Sequence, residues 1–323
     1  ASADYLGNGA IETNRYETEI VDIIRRTSTV LDRVPETLAT GHPHRFFDQT
    51  TIAQGSFTDV RTLAATASGP TRTERAVYIK AAIGQTNFGL FDVAVTRLQR
   101  QFSYITGKDI EDITSGVVIA EANAVWAGTA TSITDSATPS FCGLLTQISN
   151  QYTIGLGASI IDGIKAKVAA MFANPTQSPR PTAIYLNPIL ADLIDREAKA
   201  SHIELGNIEV TAGVTVRSIA TQAGILPLIP EPFIPATTDT SYGFAAPGSG
   251  NSNYFAVIVT ESMIERPVVP AGESESLKPT MFQLGLVSSL QGQYVVVHFS
   301  SIVAKRADAA HAVVAVVRPT VTA

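Results

Sequence analysis

Phe46 to Ala82 reads FFDQTTIAQGSFTDVRTLAATASGPTRTERAVYIKAA, a run rich in Thr, Ser and Gln with only scattered apolar residues. Ser68-Gly69-Pro70 near its middle is a turn signal. Arg75 to Ala81 has the composition of a strand leading away from that turn. The simplest structure for such a stretch is a long β-hairpin with no helical cover of its own. Five basic residues (Arg45, Arg61, Arg72, Arg75, Lys80) stand in and beside it against three acids (Asp48, Asp59, Glu74), although the whole chain carries a net charge of −6. A weakly basic ribbon on an acidic body is suited to strap across another molecule. Residues 46–85 are therefore expected to be stable only when laid across another copy.

Outward from the ribbon, the chain is helical on both sides before it turns to strands. Ala1 to Asn14 is small and polar, an extended arm. Ile20, Ile23, Ile24, Thr27, Leu31 and Val34 recur at helical spacing, and Pro35 with Gly41-His42-Pro43 ends that helix. Phe91, Val95, Leu98, Phe102 and Ile105 start a strong helical period that resumes at Ile110, Ile113, Val117, Ala120 and Ala124. Gly107 between the blocks predicts a break or kink, Asp109 with Asp112 a cap for the second block, and Gly128 its end. A further amphipathic helix carries Ile160, Ile161, Ile164, Val168, Met171 and Phe172. Ala183 to Leu186 is a short buried strand, and Asn187-Pro188 starts the next helix, Asn as cap and Pro in the first turn. Strands follow at Val214–Val216, Ile225–Ile229, Phe255–Val259, Met281–Val287, Tyr294–Phe299 and Val313–Val317.

The 323 residues give a prior of about two domains. Only 16% are charged and 45% are apolar, which excludes a disordered chain and points to a surface that other protein covers. The acidic balance argues against a basic nucleic-acid clamp. The single Cys142 excludes an internal disulfide and a thiolate zinc site. The longest apolar runs, such as Tyr254–Val259, are of strand length, far below the ~18 residues of a membrane span. The chain begins at Ala1, so an initiator Met or a longer leader is expected to have been removed.

A search for chemistry ends without a catalytic, cofactor or metal site. His42 and His44 could share a metal only with a third ligand, and they read as two surface histidines in a loop. Gly155-Leu156-Gly157-Ala158-Ser159-Ile160 has Ile where a dinucleotide loop needs its third glycine, and no convincing buried strand precedes it. Lys165 lies off phosphate-loop spacing. Cys142, between Phe141 and Leu144, reads as a small core residue. Gly248-Ser249-Gly250 lacks the flanks of a nucleophile elbow. Asp109, Glu111 and Asp112 suit a helix start better than a cation site, and Glu273 with Glu275 suit a solvated turn.

The order of parts carries more than any one motif: arm, short helix, uncovered hairpin, long helical segment, compact α/β block, long strands. It resembles the major capsid protein of tailed double-stranded DNA bacteriophages, the Hong Kong 97-type fold, over nearly the whole chain. Trp126-Ala127-Gly128 and Gly143-Leu144-Leu145 are similar to the turn and step that follow that family's spine helix, and Ile184 running into Asn187-Pro188 to its axial strand and helix start. The resemblance implies an α+β chain divided into an N-terminal arm and helix (1–45), an extended loop (46–86), a peripheral domain with spine helix (87–148), an axial domain (149–252), returning peripheral strands (253–305) and a C-terminal strand in the axial domain (306–323). It implies a structural protein, not an enzyme, with no cofactor and no membrane partner. Its copies would form hexamers and pentamers of an icosahedral virion shell, built in the host bacterial cytoplasm. The shell would enclose DNA without sequence-specific binding, and its other partners would be a decoration or cement protein, a scaffolding protein and a portal. The type member cross-links a Lys of the extended loop to an Asn. Here Lys80 is the only Lys of the hairpin, lies near its end and reads as a surface residue. Gly107 and the loop around Gly41 are the candidate bending points. Two other readings stay open: an encapsulin-like nanocompartment shell, and a soluble α/β enzyme whose dispersed site would use Gly155-Leu156-Gly157 or the His42/His44 pair.

Overall fold

The computed structural model describes residues 28–53, 55–61, 68–91, 94–95, 105–174, 179–211, 214–272, 276–288 and 291–321. The proposed arm, most of the first helix, most of the Phe91 block, and Glu273 and Glu275 lie outside them. The described chain is α+β. It is built on an eight-stranded sheet, a six-stranded sheet and a two-stranded ribbon.

The eight-stranded sheet runs β5 (Gln151–Ile154), β16 (Ala312–Pro319), β11 (Asn251–Val259), β6 (Ala183–Leu186), β9 (Gly224–Pro230), β8 (Val214–Thr221), β7 (Gly206–Thr211), with β10 (Ala236–Thr237) also on β11. Its central strands are buried on both faces, so they read as continuous apolar runs and not as alternations. The period of two still sorts their side chains. Ile184, Leu186, Tyr254, Ala256, Ile258, Val314 and Val316 meet the helices α4 (Ile160–Phe172) and α5 (Pro188–Ala200). Tyr185, Phe255, Val257, Val313 and Ala315 face the other way, against Trp126 and against Leu144 and Leu145 of α3 (Leu144–Gln147).

The second sheet centres on β14 (Gln291–Ser300). Along one edge β14 pairs with β4 (Lys80–Gly89). Along the other it pairs with β13 (Thr280–Ser288) and the end of β12 (Ile264–Val269). β1 (Glu36–Leu38) and β15 (Val303–Ala304) complete it on β12. One helix serves both sheets. α2 (Ile105–Ala127), about 34 Å long at 1.5 Å per residue, lays Ile113 and Val117 over Gly84 of β4, where a Cβ would be about 2.6 Å from Ile113. Its other end sinks Ala122, Val125 and Trp126 into the core beneath the eight-stranded sheet, Trp126 against Tyr185 with ring centroids 5.4 Å apart.

Several expectations need correction. α2 runs through Gly107 without a break, with no atom beyond its own helix near where a Cβ would stand. One glycine costs only about 1 kcal/mol, which the helix's packing outweighs. Asp109 lies inside α2 and is not its cap. Burial there, reinforced by the charge of Asp112, pushes its carboxyl above the ordinary aspartate range. A strand, β5, does precede Gly155, but it is an edge strand whose only buried residue is Ile154. The chain leaves the eight-stranded sheet after Val259, so residues 253–259, expected among the returning strands, stay at its centre between β6 and β16. The strands β7 and β12 were not foreseen; β12 carries Pro267 and Arg266 in its middle, which hides its period.

Gly128 ends α2 as expected, and the structure gives the reason. A Cβ on Gly128 would strike the carbonyl oxygens of Phe141 and Ala124, and one on Gly143 the backbone of Gly128 and Trp126. The two segments lie backbone on backbone, with an antiparallel bridge between Thr129 and Cys142. Replacing Gly128 by Ala should lower stability by about 1–3 kcal/mol, the cost of overpacking. Gly69→Ala, in open space, should change it by less than about 0.5 kcal/mol. Urea midpoints of the two variants check this.

Candidate assembly surface

The ribbon is made of β2 (His44–Thr51) and β3 (Thr71–Val77), paired antiparallel from His44↔Val77 to Thr51↔Thr71. The hairpin is as expected, with two differences. Ser68-Gly69-Pro70 leads straight into β3, so the turn is a long connection from 52 to 70. The expected strand Arg75–Ala81 is two strands: it breaks at Tyr78-Ile79, and β4 continues into the six-stranded sheet.

The base of the ribbon belongs to its own molecule, which corrects the expectation for residues 46–85. Phe46 and Val77 pack on Val303, with Ile133 beside them. Tyr78 donates its amide to the carbonyl of Ile133 at 3.1 Å. Lys305 stands over the Phe46 ring, 5.7 Å from its centroid. Arg306 reaches the Gln49 carbonyl at 3.2 Å. Lys80 is likewise no free surface residue. Its Nζ donates to the carbonyls of Asp135 and Thr138, both at 2.7 Å, and ties β4 to the 129–139 loop. Thr71 to Arg75 are exposed, and Phe47, Ile52, Phe57 and Val60 face solvent, with Phe57 and Val60 more than 80% exposed. A two-stranded ribbon holds no core, and among the described residues nothing covers the large apolar side chains at its far end.

The residues searched for chemistry are dispersed. His42 is exposed while His44 is buried in β2, so the pair is not two surface histidines. The strand's alternation turns His44 inward, where Thr40 donates its amide to Nδ1 and Glu265 stands 3.6 Å from Nε2. The glycine-rich turn before α4 has its helix start occupied by the chain's own Glu197. That carboxylate accepts from Ser159 Oγ (2.6 Å) and the amides of Ile160 (2.9 Å) and Ile161 (3.3 Å). The helix's anion-binding donors are thereby used. Cys142 is buried in apolar surroundings that push its thiol up to about 11. Ser249 sits in an ordinary turn. Among the described residues no three His, Cys, Asp or Glu side chains converge on a metal position. An open cleft of about 720 Å³ is lined by Gly128, Thr131, Thr146, Gln151 and Tyr242 and includes neither the Gly155 turn nor the histidines.

The polar groups that matter to the fold are buried acids that the search did not single out. Glu231, fully buried, accepts from Ser28 Oγ (3.2 Å) and the Thr29 amide (3.0 Å), fixing the start of α1 (Thr29–Arg33). Glu261 takes two bonds from Arg33 (2.5 and 2.8 Å) and one from Tyr185 Oη (2.7 Å). Burial opposes its charge, but Arg33 and Tyr185 hold it below the ordinary glutamate value. The available signal was a lone acid inside an otherwise apolar or Pro-rich run, as in Ile229-Pro230-Glu231-Pro232-Phe233.

No family model matches the sequence, and no curated protein is similar to it. Solved structures are. The chain superposes on the capsid of a native GTA particle with a TM-score of 0.64 at 11% identity, covering 95% of each chain. With a structure of Mycobacterium phage Ogopogo the TM-score is 0.60 at 12% identity, covering 94% of this chain and 96% of that one. With the SrpI encapsulin of Synechococcus elongatus it is 0.55 at 12% identity, covering 92% and 91%. The chain therefore has the α+β Hong Kong 97-type fold over more than nine-tenths of its length.

Glu231 gives a pH dependence whose sign is fixed. Burial raises its carboxyl to about 6, against the lowering effect of the donors from Ser28 and Thr29. Because the folded value is above the unfolded one, the stabilisation is complete below about pH 4.5 and is lost as pH climbs through about 6, in all about 2 kcal/mol. Unfolding free energies from urea titrations between pH 4.5 and 7 should fall by that amount, and Glu231→Gln should flatten the step.

Proposed function

We propose that this chain is the major capsid protein of a tailed double-stranded DNA bacteriophage. Its copies form hexamers and pentamers of a closed icosahedral shell. The eight-stranded sheet with α4 and α5 is the axial domain, packed around the local symmetry axis, and the six-stranded sheet with α2 is the peripheral domain. The single observation that carries this reading is the far end of the β2–β3 ribbon. It projects Phe57 and Val60 into solvent, on a fold whose structural neighbours are shells matched over more than nine-tenths of the chain. Laid on a neighbouring subunit, such side chains would be worth about 1.5–3 kcal/mol each. Closure multiplies modest contacts around every ring. Decoration, scaffolding and portal proteins are the further partners of this reading, the virion its location and the host cytoplasm its place of assembly. The acidic chain would enclose DNA without gripping it.

The SrpI encapsulin neighbour supports a second reading, a nanocompartment shell around a protein cargo. The contents of the particle separate the two: packaged double-stranded DNA, with tail and portal, supports the phage, and a cargo enzyme the nanocompartment.

The test is the state of the purified chain. Sedimentation and negative-stain images should show ring-shaped or closed megadalton particles. Replacing Phe57 and Val60 by Asp should leave 34.2 kDa chains or single rings, with the monomer's stability changed by less than about 0.5 kcal/mol. A wild-type chain that stays monomeric at high concentration overturns the proposal.

A further inference from the structure

Where α2 crosses β14, three polar side chains are buried together. His298 and Glu121 are each less than 5% exposed, and Ser300 is buried beside them. His298 Nδ1 lies 2.5 Å from Glu121 Oε1, Ser300 Oγ donates to the same oxygen at 2.5 Å, and His298 Nε2 lies 2.8 Å from the carbonyl oxygen of Leu277. A carbonyl oxygen only accepts, so Nε2 carries a hydrogen. The short contact at Nδ1 then needs a second proton between ring and carboxyl, because two facing lone pairs at 2.5 Å would repel. Whether that proton is written on the ring or on the acid, the pair holds one more proton than a neutral imidazole beside a carboxylate.

We propose that Glu121, His298 and Ser300 form a proton-dependent clasp that holds α2 and the Leu277 segment on the six-stranded sheet and lets go in alkaline solution. The clasp joins segments far apart in sequence, so its loss frees one helix from one sheet face and need not unfold the chain. Solvent can reach it. A cavity of about 200 Å³ lined by Ala82, Ala120, Phe141 and Lys80 adjoins Glu121 and Ser300. Charged groups of both signs stand around it. Glu36 of β1 favours a charged ring and is itself held by Arg266 of β12 and Lys278. Lys80 of β4 stands across the cavity, and β13 and the rest of β14 carry no charged residue. Acids elsewhere on α2, Asp109, Glu111 and Asp112, lie more than two turns away along it. Burial opposes charge on the ring, but the bond and charge of Glu121 outweigh it and hold His298 above the ordinary imidazole range. With the folded value raised, the stabilisation is whole below about pH 6.5 and disappears as pH rises through the folded value.

Hydrogen–deuterium exchange of the full chain, corrected for intrinsic rate, tests this from about pH 6 to about pH 10. Peptides covering residues 117–125 and 294–300 should lose protection about tenfold or more, while residues 254–259 of the other sheet keep theirs. Glu121→Gln removes the negative partner and should move the loss to lower pH. His298→Gln should make protection of the same peptides independent of pH. Protection of 117–125 and 294–300 that stays constant in the wild type, that falls together with 254–259, or that in Glu121→Gln falls at the wild-type pH would each overturn the clasp. The wild-type series decides alone if a variant does not fold.

Discussion

The backbone contact between Gly128 and Gly143 is the constraint on which the two-sheet architecture depends. α2 lies on the six-stranded sheet for most of its length and must deliver Trp126 beneath the eight-stranded one. A helix end can enter a packed core only if the chain leaving it finds room. With glycine at both positions, the segment after α2 runs against the Phe141–Leu145 step at a spacing that a Cβ on either side would prevent. Trp126, Leu144 and Leu145 can then fill one layer under Tyr185 and Phe255. Without that approach the two sheets would share a helix but no core.

Charge is spent inside the molecule. The chain has 29 acidic residues, and several of the most buried ones hold distant segments together. Glu231 holds α1, Glu261 holds Arg33 to β6, and Glu36 gathers Arg266 and Lys278. Glu265 draws in Lys305 at 2.5 Å, and Glu197 caps a neighbouring helix. Breaking such a pair costs more than its formation gains, because the remaining partner is left buried and alone. These acids set where the elements sit relative to one another more than how stable each element is.

What the sequence makes legible follows from periodicity. β6, β9, β13, β14, β16, α4 and α5 are found where their apolar patterns place them, because local pattern and tertiary burial agree there. Asn187 caps α5 through the Ile189 amide at 2.9 Å, as its chemistry requires. The failures share one cause: a local preference outweighed by contacts from far along the chain. Gly107 would break a helix in isolation but not one of this length packed on a sheet. β11 reads as a strand from composition, yet only its pairing with β6 and β16 reveals which sheet it joins. Lys80 and His44 look like surface residues until the carbonyls of a distant loop and the Glu265 carboxylate are placed beside them. Of the assembly surface, the ribbon was visible as a patch without helical or apolar cover. Its anchored base was not, since Val303 and Ile133 come from elsewhere in the chain.

β2 and β3 pair with each other in a sheet of two strands, so among the described residues each has an outer edge with no strand beside it. Such edges invite further strands from any passing chain. Along this one, Arg45 faces Glu74 at 2.7 Å, Arg75 faces Asp48 at 3.0 Å, and Arg72 follows. A fibril stacking identical ribbons in register would bring like charges together at every rung. The same residues that give the ribbon its weak positive balance thus guard its open edges against runaway stacking.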